Sequence, residues 1–443
     1  MRTIEANPFV FSRAVAPGEA IERAEEVEDL LRALSAGHNL TLYGPRRLGK
    51  TSLLAQLAAT ARRRRMLTVR VDLSDVLGPA DVAARLEQAY RALPGRVGRL
   101  VGRELGGLGL TTPVGGFSVQ RRPGAPDAVA AVHSLLEVPA GLAERTSRQT
   151  VVILDEFQAL THLRGLDGVF RSHLQHHEQV SYLFCGSEPS LLRALFEDRA
   201  RPLFGQAEQR RLGRVPYGRA HDFVVGRFER GGKDAGDVAA ELVALSELHP
   251  QRLMLLAHHL WEQVGRRRAA TMTDLRLAYD SATRGVETEL RYLWDGLTAN
   301  ERRVLASVAS GLSPYRREAQ AMTGLTSRST AERAVTALEG RAILERSDAG
   351  PRHVVDPLLA RWVRLHGGAR RSVFVVPHPD GGYAVTDGPS LAFARSQHRS
   401  LPDAEAEADR LAAREGGADV MIFDTDRPNE LPGWALSAAE SGG

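Results

Sequence analysis

Eight residues constrain this chain more than any other stretch. Gly44-Pro45-Arg46-Arg47-Leu48-Gly49-Lys50-Thr51 fits the spacing G-x-x-x-x-G-K-[ST]. A short apolar strand, Leu40-Thr-Leu-Tyr43, stands directly before it, and a helix opening Ser52-Leu-Leu-Ala-Gln-Leu-Ala stands directly after. Glycines let the backbone wrap closely, so that successive N–H groups converge on one anion. The helix that begins there adds the positive end of its dipole. Lys50 is placed to neutralise the β and γ oxygens of a bound triphosphate, and the Thr51 hydroxyl to hold Mg²⁺. Of the 58 basic residues only Lys50 and Lys233 are lysine, and the rest are arginine, a pattern that coding bias explains. One of the two lysines therefore falls where arginine could not simply replace it.

A second element completes the pattern. Val151-Val-Ile-Leu154 is the strongest strand signal of the chain, and it ends in Asp155-Glu156. An apolar strand ending in a carboxylate suits Asp155 to bind Mg²⁺, usually through water. Glu156 beside it is placed to polarise an attacking water, which favours hydrolysis over binding alone. Tyr182–Cys185 is a further buried strand, leading to Gly186-Ser187. Ser187 is open to two readings, a γ-phosphate sensor or a cap for the helix that follows. Fast hydrolysis also needs a transition-state arginine, and spacing does not choose among Arg199, Arg201, Arg210, Arg211 and Arg214. A guanine-reading Asn-Lys-x-Asp box is missing, since the one later lysine sits in Gly232-Lys233-Asp234, so ATP is the expected nucleotide.

Strand and helix signals alternate through this region, which implies an α/β fold with a parallel sheet covered on both faces. The glycine- and proline-rich stretch 94–124 is expected as an inserted hairpin. The rest divides into a P-loop core over 1–217, a helical domain over 218–296 that would serve as a lid, a winged helix-turn-helix over 297–368 and a small α+β domain over 371–430. Hydrophobic residues at 43% and charged residues at 25% fit a soluble globular chain. The start of the chain has no apolar signal-like run, and no stretch is long and apolar enough to span a bilayer, so a cytoplasmic protein is expected. A single cysteine, Cys185, excludes an intrachain disulfide or a cysteine-based zinc site.

Segment 297–366 carries eleven arginines against seven acids. In a winged helix-turn-helix its third helix, over 327–341, would enter the major groove, with Ser327, Arg328 and Arg333 facing DNA and Arg352 on the wing. The same unit could equally serve packing or protein contact. Arg62-Arg-Arg-Arg65 and Arg266-Arg-Arg268 read as solvated helix ends rather than nucleic-acid contacts. His173, His176 and His177 lie on one helix with His162 nearby, but no carboxylate partner is apparent in the sequence, so a surface helix is expected there. Segment 371–443 has six arginines against twelve acids, a weak hint of a protein partner.

With these residues in hand, about residues 5–366 resemble the archaeal-type ATPase family of the STAND branch of AAA-like P-loop NTPases. The likeness runs through Asn7-Pro-Phe9, Ile21-Glu-Arg-Ala-Glu25, Tyr43–Leu54, Asp155-Glu-Phe-Gln158, Gly186-Ser187, Arg201-Pro-Leu-Phe-Gly205, His249-Pro-Gln-Arg252 and Val355–Trp362. The resemblance implies that Asn7, Phe9, Pro250 and Arg252 join Gly44–Ser52 in binding nucleotide, with Pro250 packed on adenine. It also implies a nucleotide-dependent homo-oligomer. Gln206 stands where the family usually has its arginine, which leaves Arg201 or a residue of a partner copy for that role. Segment 371–427 resembles a small β–α–β domain found alone or appended to bacterial proteins. The expectation is an ATP- and Mg²⁺-binding switch that hydrolyses ATP, with a regulatory role and a candidate duplex-DNA surface. The alternative is a DNA-binding regulator or scaffold that holds ATP but scarcely turns it over.

Overall fold

The computed structural model describes residues 7–13, 17–107, 127–265, 268–325, 327–346, 352–367, 372–377, 381–386, 394–414 and 419–422. It separates into two compact units. One holds residues 22–213 with 16–18; the other holds residues 1–15 and 19–21 together with everything from Arg214 onward. Among the described residues no helix is long and apolar enough to cross a membrane.

The first unit is built on five parallel strands: β1 (Leu40–Tyr43), β2 (Leu67–Asp72), β3 (Thr150–Asp155), β4 (Val180–Gly186) and β5 (Glu208–Arg211). Their order is β2-β3-β4-β1-β5. Strand β3 is buried along its whole length, as expected of a parallel strand covered on both faces. Its side chains alternate between two cores. Val151 and Ile153 pack with helices Ala24–Ser35 and Lys50–Arg63, while Val152 and Leu154 pack with helices Pro79–Arg91, Ala128–Thr146 and Leu166–Leu174.

Two sequence expectations change here. Residues 95–107 form a helix rather than one arm of a hairpin. Val101, fully buried, packs into the core shared with the helices on either side of it in the chain, and that burial outweighs the five glycines of the segment. Residues 108–126 lie outside the described residues. Strand β5, Glu-Gln-Arg-Arg, carries no apolar signal, so the pattern did not reveal it. It forms chiefly by backbone pairing along β1 at the edge of the sheet, with Leu212 N–H donating to Tyr43 C=O at 2.8 Å.

In the second unit, helices Tyr217–Arg230, Val238–Leu245, Pro250–Gln263 and Met272–Asp295 share one core with helices Ala299–Ala309, Arg328–Gly340 and Pro357–His366. A short helix, Arg317–Thr323, and a two-stranded antiparallel hairpin of β6 (Leu344–Arg346) and β7 (Arg352–Val354) complete the element order of a winged helix. A last sheet, in the order β10-β9-β8-β11, is made of β8 (Ser372–Pro377), β9 (Tyr383–Thr386), β10 (Ala394–His398) and β11 (Asp419–Ile422). Helix Leu401–Arg414 covers it through Ala404, Ala408 and Ala412.

A buried polar knot fastens this unit. The fully buried guanidinium of Arg252 forms a two-pronged bond with Asp356, Nε donating at 2.9 Å and Nη2 to the other oxygen. Asp356 also caps helix Pro357–His366. Burial pushes its carboxyl upward, but Arg252 and His249 hold it below its ordinary range. His249 lies alongside, and burial lowers its pKa from 6.5 to about 3; Asp356 and Glu345 oppose the shift, while Arg214 and Arg252 add to it. The unfolded chain thus takes up a proton near pH 6.5 that the folded chain refuses until about pH 3. Stability of this unit should therefore fall as the pH drops through that window. Urea titrations followed by tryptophan fluorescence check this, because the described tryptophans, Trp261, Trp294 and Trp362, belong to this unit. An unfolding midpoint that stays flat from pH 7 to pH 4 would contradict it.

Candidate functional site

The loop after β1 is built around Lys50. Gly49, at φ +85°, turns the chain into helix Lys50–Arg63 in a conformation that side chains resist, and no side chain caps that helix. Its first N–H groups are left for an anion. Lys50 is buried beneath the loop, and its Nζ donates to the carbonyls of Gly44 at 2.6 Å and Pro45 at 2.8 Å. Burial lowers its pKa to about 8, against the opposing pull of Glu156 and Asp155. Thr51 and Ser52 follow on the first turn, with Thr51 exposed.

Arg23 supports the loop from below, a role that the sequence did not reveal. Its buried guanidinium donates to the carbonyls of Leu48 at 3.2 Å and Gly213 at 3.0 Å and pairs with Glu26 at 2.9 Å. A lone arginine opening an amphipathic helix gives no such signal.

The two carboxylates stand together at the carboxyl end of β3. Asp155 closes β3 and is buried, with Oδ2 accepting from Arg70 Nη2 at 2.6 Å and Oδ1 from the Glu156 N–H at 3.2 Å. Arg70, on β2, is a second residue missed in the sequence, where it reads as the exposed position of an alternating strand. Glu156 sits at φ +54°, rare for a residue with a side chain and the kind of local strain that functional sites retain. Its Oε2 accepts from Ser187 Oγ at 2.6 Å and from Gln158 Nε2. A Cβ at Gly186 would stand 2.6 Å from Gln158 Oε1, so a side chain there would displace the Gln158 amide. Between the two readings of Ser187, its hydroxyl bonds Glu156, and helix Pro189–Glu197 starts from Glu188 without a side-chain cap.

The other candidate residues are dispersed. Arg201 Nη1 bonds Asp167 Oδ2 at 3.3 Å. Arg210 lies on β5 and pairs with Asp29 and Glu208, whereas Arg214 belongs to the second unit, where Glu247 and the Val355 carbonyl hold it. Asn7, Phe9, Pro250 and Arg252 also belong to the second unit. Asn7 Nδ2 bonds the His258 carbonyl and Glu262, and Phe9 is buried among Phe223, Phe228 and Trp261. Pro250 opens its helix, and Arg252 is committed to Asp356. In the winged unit, Ser327 caps helix Arg328–Gly340 by accepting from Thr330 N–H at 3.2 Å. Arg328 is exposed and pairs with Glu332; Arg333 is exposed and bonds the Ser329 carbonyl; Arg352 is held by Glu339 at 2.6 Å over the Tyr315 ring.

The histidines depart from expectation. His162 and His176 are exposed, but the His173 and His177 side chains are buried, so this is not simply a surface helix. The carboxylate that the sequence did not show is Glu137, on helix Ala128–Thr146 and far away in the chain, with Oε1 2.6 Å from His173 Nδ1.

A parallel sheet in the order β2-β3-β4-β1-β5, with a phosphate-type loop after β1 and an acid pair ending β3, is a P-loop NTPase fold of the AAA-like kind. Among solved structures, the chain is similar to a Walker-type ATPase of Pyrococcus abyssi, with a TM-score of 0.60 at 17% identity over 81% of this chain and 99% of that one. The ORC2 protein of Aeropyrum pernix gives a TM-score of 0.49 at 16% identity, covering 80% and 94% of the two chains. At 17% identity the likeness to the Pyrococcus abyssi protein is one of fold. No family model matches the sequence, and neither does any curated protein.

Proposed function

We propose that this chain is a Mg-ATP-dependent switch that hydrolyses ATP. The observation that carries the reading is Lys50, buried yet cationic, beneath a loop whose helix offers uncapped N–H groups, with Asp155 and Glu156 together at the end of β3 in the same sheet. The site fits a nucleotide. Lys50 and the N–H groups from Gly44 to Ser52 would hold the phosphates, and Thr51 with Asp155 would hold Mg²⁺. The metal, when bound, would neutralise charge between the β and γ phosphates. Glu156 would take the proton of the attacking water, and Ser187 orients that carboxylate by donating to Oε2. Arg70 fixes Asp155 in place by donating to its Oδ2. Arg201, set by Asp167, is the proposed charge-stabilising arginine.

A regulatory role and duplex-DNA contact through Ser327, Arg328, Arg333 and Arg352 belong to the same proposal, as do the domain limits, the oligomer and a protein partner for 371–430. The exposed Arg328 and Arg333 support the DNA surface best. The test is phosphate release by the purified chain while duplex DNA is titrated at two salt concentrations. Turnover raised by DNA, and less so at high salt or in Arg328→Ala/Arg333→Ala, is the expected result. Turnover indifferent to DNA in both chains removes DNA from the reading.

A further inference from the structure

At the amino end of β4, away from the carboxyl ends that carry the nucleotide residues, three elements bring together a set of side chains that the proposed hydrolysis does not use. Helix Ala128–Thr146 presents His133 and Glu137, one turn apart and therefore on one face. Helix Leu166–Leu174 and the residues just after it present His173 and His177 at the same spacing. Glu137 Oε1 lies 2.6 Å from His173 Nδ1, and Oε2 lies 3.7 Å from His177 Nε2. One ligand atom from each of Glu137, His173 and His177 falls within 4.8 Å of the others. We infer that this cluster is a binding site for a divalent transition ion of the zinc type, with Glu137, His173 and His177 as its ligands.

Three observations carry this. First, His177 Nε2 is buried and has no hydrogen-bond partner, although it faces the carboxylate. An unsatisfied buried nitrogen is costly for a protein to keep unless something pairs with it. Second, each ligating imidazole has its other nitrogen engaged. His173 Nε2 is 2.9 Å from His133 Nδ1, and His177 Nδ1 is 2.8 Å from the Tyr182 hydroxyl. Outer partners of this kind fix the ring orientation and tautomer of metal-bound histidines. Third, the donor set of two imidazoles and one carboxylate suits Zn²⁺, which takes nitrogen and oxygen ligands at about 2.0–2.2 Å and leaves a fourth position for water. The Glu137 side chain is 64% exposed, so it can turn to close such distances without disturbing the core.

The consequence is a clip. The ion joins helix Ala128–Thr146 to helix Leu166–Leu174 and, through Tyr182, to the start of β4, whose other end carries Ser187. It is expected to stabilise the first unit without contributing atoms to hydrolysis.

The experiment uses the full chain stripped of metal with a chelator and titrated with ZnCl₂, and with CoCl₂ as a spectroscopic probe. One equivalent of Zn²⁺ is expected to bind and raise the melting temperature, and Co²⁺ to give the intense visible bands of a four-coordinate site. Glu137→Gln and His177→Ala should abolish both signals. Tyr182→Phe should weaken binding by about 10–100-fold, as loss of an outer-shell partner does. His162→Ala, at an exposed histidine outside the cluster, should bind like wild type. Should His177→Ala fail to fold, the exposed Glu137→Gln decides alone. Absence of stoichiometric binding to the wild-type chain, or its persistence in Glu137→Gln, overturns the inference.

Discussion

Replacing Glu156 by Gln is expected to lower steady-state ATP turnover by about 10²–10⁴-fold, the usual contribution of a positioned general base. ATP affinity should change little. The amide keeps the size of the carboxylate, and its oxygen still accepts from Ser187 Oγ, so the strained turn at φ +54° and the end of β4 stay as they are. It cannot take a proton from water. Turnover by malachite-green assay and affinity by a fluorescent ATP analogue separate the two effects. Turnover within about threefold of wild type would remove Glu156 from the chemistry and leave its bonds to Ser187 and Gln158 as structure only.

The largest stability effect should come from Arg252→Ala. The wild-type guanidinium is fully buried against Asp356, which also accepts the Leu358 N–H at 3.0 Å. Removing one partner of a buried ion pair leaves the other charged and desolvated, at a cost of about 3–5 kcal/mol. Tryptophan fluorescence during urea unfolding follows this unit through Trp261, Trp294 and Trp362. The double variant Arg252→Met/Asp356→Asn should recover most of the loss, because asparagine keeps the helix cap while leaving no uncompensated charge. A double variant no more stable than Arg252→Ala would mean that the lost packing, rather than the uncompensated charge, sets the effect.

What could be read from the sequence was set by local patterns. The strands β1, β3 and β4 and the loop between β1 and its helix announce themselves through contiguous apolar runs and fixed glycine spacing. The helices of residues 217–295 do so through apolar periodicity. What escaped depends on partners distant in the chain. Arg70 and Asp155 are 85 positions apart, and Glu137 meets His173 only because two helices pack together. Strand β5 is held by backbone pairing without side-chain burial, so no periodicity marks it. The helix over 95–107 was hidden for the opposite reason: its glycines argue for a loop, and only packing of Val101 in a shared core decides against them. Arg252 shows a third kind of limit. A motif match suggested nucleotide contact, but residue type and spacing cannot show that an arginine is fully buried and bonded to a carboxylate 104 positions on.

The most direct test of the central claim is calorimetric titration of Mg-ATP into the wild-type chain and into Lys50→Ala. The variant removes the buried cation from beneath the loop while leaving the helix and β1 in place. The account predicts one bound nucleotide per wild-type chain and an affinity lowered at least tenfold in the variant. Equal affinity in the two proteins would contradict it, because a nucleotide held without Lys50 is not held by this loop.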